Sequence, residues 1–153
     1  MTAATAAPAW RPAAPVPCAA PLPAVDRLRV APRAGGWTIT ARVAVDPRDP
    51  NLAGHFPGQP IYPGVFVVET LCQAMAQAVP GAPRLRAVTS IRFLAALLGG
   101  DEMELTLDVD PAAPAAGAAS TAEPGWTVRG TGRRHDGTVT AQLRAVFDAG
   151  AGA

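Results

Sequence analysis

The stretch from Pro63 to Val79, PGVFVVETLCQAMAQAV, restricts the possible folds of this chain more than any other segment. Pro63 suits the first position of a helix, where a missing N–H is harmless, and Pro80-Gly81 supplies the stop. Val65, Phe66, Val67, Val68, Leu71, Met75 and Val79 leave no broad polar face, so the helix is expected to be buried nearly all round. Gln73 and Gln77 are its main polar exceptions. A helix of this kind needs other elements wrapped about it. It also carries Glu69, the only acidic residue between Asn51 and Gly100. A carboxyl buried there without a partner costs roughly 1 to 3 kcal/mol even when neutral, so a reason for it must be found.

The wrapping layer is legible as strands. Val25 to Val30 is a short strand or turn region, and after the Ala34-Gly35-Gly36 breaker the alternating, β-rich run Trp37 to Val45 predicts a strand. Leu85 to Leu97, Glu102 to Val109, Gly125 to Arg133 and Thr138 to Phe147 follow. In the last, Val139, Ala141, Leu143, Ala145 and Phe147 alternate with more polar positions, the period of a sheet with one covered face. Asp136-Gly137 between two such runs is a hairpin signal. One apolar helix followed by antiparallel strands gives an α+β expectation: a curved sheet around a central helix. Residues 25–149 are expected to form a single domain, with a disordered Ala/Pro-rich tail over 1–24 and a flexible loop over 111–124.

Composition removes several function classes. The net charge is +1 and all 13 basic residues are scattered arginines, which argues against a nucleic-acid face. No run of about 18 apolar residues exists to span a membrane, and the proline-broken N-terminus does not read as a signal peptide. A cytoplasmic location is expected. Cys18 and Cys72 do not suggest a disulfide framework, and Cys72 reads as a small core residue rather than a nucleophile.

Fourteen residues before Glu69 stands His55, one of two histidines, in GHFPGQPIYPG. The segment GHFPGQPIYPGVFVVETLCQ resembles the active-site segment of the β-hydroxyacyl-acyl carrier protein dehydratases, whose pattern is HFPGxPxxPGVxxxE with a Gln four residues beyond the Glu. His55, Phe56, Pro57, Gly58, Pro60, Pro63, Gly64, Val65, Glu69 and Gln73 meet every fixed position. The resemblance implies a hotdog fold, and Glu rather than Asp at 69 points to the branch that dehydrates without isomerising. It also extends, more loosely, over the order of elements from Val25 to Asp148.

Elimination of water from a β-hydroxyacyl thioester needs a base for the α-proton and an acid for the departing hydroxide. By resemblance His55 is the base and Glu69 the acid; imidazole suits proton abstraction near neutral pH, and apolar surroundings favour the proton-donating form of a carboxyl. The Gly64 amide, in the first turn of the helix, is the expected donor to the thioester oxygen. The resemblance assigns the Ile61 carbonyl to orienting the imidazole. Gln73, one turn beyond Glu69, is placed to fix the direction of the carboxyl. Tyr62 is a possible substrate gate; a packed aromatic with its hydroxyl satisfied is the alternative. No metal or organic cofactor is implied beyond the phosphopantetheine that carries the substrate.

The implied partners are an acyl carrier protein and a second copy of the chain, since sites in this family draw their His and Glu from different subunits. Two alternatives stay open: a non-catalytic or half-site subunit of a heterodimeric hotdog dehydratase, and a hotdog acyl thioesterase. Where the family continues with K-F-R-R-P-V-x-P-G-D, this chain keeps Arg92, Phe93, Gly100 and Asp101 but lacks both prolines and the inner basic pair. That departure, with the Ala/Pro-rich tail and long loop, suggests a specialised polyketide or lipid pathway. His135 reads as an exposed turn residue, and Asp110 and Glu123 as solvated flanks of the loop.

Overall fold

The structure, a computed structural model, describes residues 8–13, 23–113 and 125–150. Among these, seven strands form one antiparallel sheet and a single α-helix crosses it. In chain order the elements are β1 (Arg11–Pro12), β2 (Arg27–Arg33), β3 (Gly36–Ala44), α1 (Gly64–Ala78), β4 (Arg84–Phe93), β5 (Glu102–Pro111), β6 (Trp126–Arg134) and β7 (Val139–Asp148). The sheet runs β1-β2-β3-β5-β6-β7-β4, so the strand that follows the helix forms the far edge.

Alternation fixes which face meets the helix. In β5, Met103, Leu105, Leu107 and Val109 are fully buried while the residues between them are partly exposed. These four pack with Ile39, Ala41 and Val43 of β3 and with Leu143, Ala145 and Phe147 of β7 against Val67, Leu71, Ala74 and Met75 of α1. This is the curved sheet around a helix expected from the sequence.

Three details depart from expectation. The helix is not buried all round: Val65 is 67% exposed, and Val68, Glu69, Cys72 and Ala76, on the same side, are only half-buried. One sheet can cover only one side of a helix, so an apolar stripe is left for another layer. The strand after the helix ends at Phe93, four residues short of Leu97, and Leu94 to Leu97 continue as a connection. Asp110 is not simply solvated, because it pairs with Arg33 and Arg129.

Within the expected tail, Arg11 and Pro12 pair with Leu28 and Arg27 of β2, and the guanidinium groups of Arg29 and Arg42 each stack on the Trp10 ring, 4.4 Å from its centroid. Residues 1–7 and 14–22 lie outside the described residues, as do 114–124 of the expected loop, with Glu123 among them.

Candidate active site

The turn-rich segment from Asn51 to Pro60 is pinned by Leu52, which is buried in the core, and the His55 amide donates to the Leu52 carbonyl at 3.2 Å. His55 is thereby held at the surface, its ring edge-on to Phe56 at 4.6 Å between centroids. The chain then enters α1 through Pro63, whose extended backbone caps the helix without a side-chain hydrogen bond. The first-turn amides therefore keep the positive end of the helix dipole available to a ligand.

His55, Ile61, Tyr62 and Gly64 line one cavity of about 470 Å³. Its opposite wall is Phe93 to Leu97 together with Thr140 and Ala141 of β7. Gly64 lets the exposed Phe93 ring lie against the helix entrance: a Cβ there would stand 2.5 Å from its Cζ and the ring would have to swing aside. The wall is tied down where prolines are absent, since Leu94 and Ala95 donate to the Thr140 carbonyl at 2.8 and 3.4 Å. Leu98 donates to the Asp101 carboxylate at 2.7 Å, and Arg134 reaches the Ala96 carbonyl at 3.5 Å. Arg134 is itself held by Asp136 at 2.7 Å, an ion pair that keeps the Asp136 carboxyl below the usual carboxylate range. His135 is an exposed hairpin residue, 3.7 Å from Asp101.

Glu69 does not line this cavity. At about 100° per residue it lies well round the helix from both Gly64 and Val67, on the half-covered side. There the Gln73 amide donates to its carboxyl at 2.8 Å, and the Gln73 carbonyl oxygen accepts the buried Ala24 amide at 3.0 Å. Within one chain the structure thus gathers His55, Ile61, Tyr62 and Gly64 and sets Glu69 and Gln73 apart on another face. Tyr62 is buried, with its hydroxyl 3.4 Å from that of Thr70, and desolvation pushes its pKa up to about 12. Cys72 packs against the core; burial, then the nearby Glu69 charge, pushes its thiol up to about 11. Among the described residues no group of three or more His, Cys, Asp or Glu is placed to hold a metal.

The profile of the ApeI-like family, described as ApeI dehydratase, matches residues 32–121. The chain belongs to the ApeI-like dehydratase family. It is also 35% identical over 83 residues to the 3-hydroxyacyl-[acyl-carrier-protein] dehydratase FabZ of Haemophilus influenzae, a match covering 49% of this chain and 55% of the relative. The chain thus spans about half the length of the curated relatives it matches. Among solved structures, the dehydratase heterocomplex ApeI:P from Xenorhabdus doucetiae superposes with a TM-score of 0.53 at 18% identity, covering 78% of this chain and 94% of that one. The R-hydratase PhaJ1 from Pseudomonas aeruginosa superposes with a TM-score of 0.56 at 14% identity, covering 77% and 83%. The fold of this ApeI-like protein is therefore the hotdog fold. No helix among its described residues is long and apolar enough to cross a membrane.

Sequence reasoning missed part of the cavity wall. Phe93 was visible in the motif comparison, but Leu94 to Leu97 read as strand, and period-two alternation placed Thr140 on the solvent face. Thr140 is 2% exposed. The register explains it: Gly132 of β6 faces Ala141 while Arg133 faces Val139, so Thr140 is an extra residue in a β-bulge. Bulges re-aim side chains in this way, and nothing in the local sequence announces this one.

Proposed function

We propose that this ApeI-like protein removes water from a β-hydroxyacyl thioester carried on the phosphopantetheine of an acyl carrier protein, giving the trans-2-enoyl product. One observation carries the reading: His55 and Gly64, the residue that opens the first turn of α1, line a single cavity walled largely by apolar residues. An acyl thioester placed there has its carbonyl oxygen at the Gly64 N–H and its α-carbon near His55. The imidazole takes the α-proton, and negative charge develops on the thioester oxygen, where the amide and the helix dipole stabilise it. As the C–O bond to the β-carbon breaks, the Glu69 carboxylic acid gives its proton to the departing hydroxide, forming water. Both groups return to their starting forms by proton exchange with solvent, so the reaction needs neither metal nor organic cofactor.

Because Glu69 faces away from its own chain's cavity, it serves the cavity of a second subunit. The half-covered helix side and the exposed Phe56, Val65, Phe93, Leu94 and Leu98 supply the apolar surface for that contact. Ile61 is the carbonyl that orients the imidazole, and Gln73 orients the acid. Purified protein should convert a carrier-bound β-hydroxyacyl chain to a species lighter by one water, read by mass spectrometry. Both His55→Ala and Glu69→Gln should abolish the conversion; full turnover in the two variants rules the mechanism out.

A second reading rests on the likeness to a dehydratase heterocomplex: the second subunit is a related hotdog chain rather than another copy. Solution mass with and without a co-expressed hotdog partner separates the two.

A further inference from the structure

The outer face of the sheet, turned away from α1, divides into two halves of different charge. On one half, acids of β5 meet arginines of β2 and β3: Glu102 pairs with Arg27, Asp110 with Arg33 and Glu104 with Arg42. The other half is formed by β6, β7 and β4. There Arg144 stands directly opposite Arg129 in the ladder. Neither Arg92 nor Arg144 has an ion pair among the described residues. Arg129 reaches Asp110 at 3.8 Å, an acid already held by Arg33.

These three arginines line a surface cavity of about 420 Å³ together with Ser90, Thr131 and Gln142. Register sets their spacing. Ser90, Arg144 and Arg129 form one row across the three strands, and Arg92, Gln142 and Thr131 form the next. The rows are two residues apart, about 7 Å. Like charges directly opposite in a sheet are destabilising. Elsewhere this chain avoids them, since β5 sets Glu104 between Arg42 and Arg133. A face that served only solubility would do the same here. The lining instead offers guanidinium groups and neutral hydrogen-bonding side chains, with no carboxylate among them. That set matches phosphate oxygens, which a guanidinium fork can take two at a time.

We propose that this cavity binds a free small molecule bearing a diphosphate, with Arg129 and Arg144 holding one phosphate, Arg92 the other, and Ser90, Thr131 and Gln142 donating hydrogen bonds. Cations set in two rows about 7 Å apart suit two linked phosphates better than one. The cavity opens on the face of the sheet opposite to the one that carries His55 and Gly64, so its occupant does not depend on the reaction proposed there. Without a ligand the arginines repel one another. A bound anion converts that repulsion into attraction, and so stabilises the fold.

The test uses inorganic pyrophosphate as the probe, on the full chain, in a buffer free of other phosphate and at constant ionic strength. Calorimetry should give one saturable site per chain. Arg92→Gln and Arg144→Gln should each weaken binding about tenfold or more, as expected for loss of a charge-assisted hydrogen bond. Arg86→Gln makes the same change of charge elsewhere on β4, at a residue paired with Asp148, and should stay within about twofold because exposed charges at that distance are screened. Without pyrophosphate, Arg144→Gln should melt no lower than the wild type, since it removes the charge facing Arg129. Saturating pyrophosphate should raise the melting temperature of the wild type and leave that of the double variant Arg92→Gln/Arg144→Gln unchanged. Absence of saturable binding, or equal weakening in Arg86→Gln, overturns the proposal. So does tighter binding of a phosphoserine peptide than of pyrophosphate, which would place the phosphate on a protein.

Discussion

The Gln73 amide donates to the Glu69 carboxyl at 2.8 Å and, through its own carbonyl oxygen, accepts the Ala24 amide at 3.0 Å. Both Gln73 and Ala24 are buried, so the Glu69 carboxyl is fastened to the segment entering β2 through one side chain. The i to i+4 spacing on α1 makes the first contact, and only the folded chain supplies the second.

Gln73→Leu should therefore act twice. Leaving the buried Ala24 amide without its acceptor should cost about 1 to 3 kcal/mol of stability, measured by urea denaturation. Turnover should fall further than this loss explains, with kcat dropping at least about tenfold and KM nearly constant, as expected when a group acting in the transition state loses its orientation. An unchanged kcat in the folded variant would remove Gln73 from the site.

Gly64→Ala should force the Phe93 ring away from the helix entrance, since the added methyl would lie 2.5 Å from Cζ. Phe93 is 54% exposed, so the ring can swing into solvent and the cost should stay below about 1 kcal/mol. Combining it with Phe93→Leu should recover most of that stability, and a double-mutant cycle by thermal melting reads the coupling. Additive losses would show that the two residues do not meet in solution.

Val65 is 67% exposed on the helix side that also carries Glu69. Val65→Asp should yield a folded chain of monomer mass by light scattering, with dehydration abolished although His55 and Glu69 are intact. A dimer that still turns over would place the subunit contact elsewhere.

Tyr62 gives a pH signature. Its pKa is pushed from the model-peptide value of 10.0 to about 12, chiefly by burial. The folded state holds the phenolic proton more tightly than the unfolded chain, so this stabilisation is full below pH 10 and lost as pH rises through 12. Two units correspond to about 2 to 3 kcal/mol. Alkaline denaturation of Tyr62→Phe should fall less steeply across that window than the wild type. Parallel curves would mean that the ring ionises freely in the fold.

The helix, its Pro63 entry and its stop were legible because they depend on local chemistry: proline geometry, apolar content and a Pro-Gly break. β5 and β7 were legible because a sheet with one covered face alternates with period two. The strand after the helix was overextended, since Leu94 to Leu97 are as apolar as a buried strand and serve instead as a cavity wall. Thr140 followed the alternating pattern and was misplaced by it, because a bulge depends on the pairing of two strands and not on either alone.

The sequence alone determined which chemical groups are present and their local setting: an imidazole in a proline-fixed turn, a glycine at a helix start, and a carboxyl with an amide one turn beyond it. Those are short-range matters of spacing and backbone geometry. Tertiary structure decided that His55 and Gly64 share one cavity while Glu69 turns away from it, and that a bulge brings Thr140 into the cavity wall. These depend on helix rotation relative to the sheet and on strand register, which are set by packing between residues far apart in the chain.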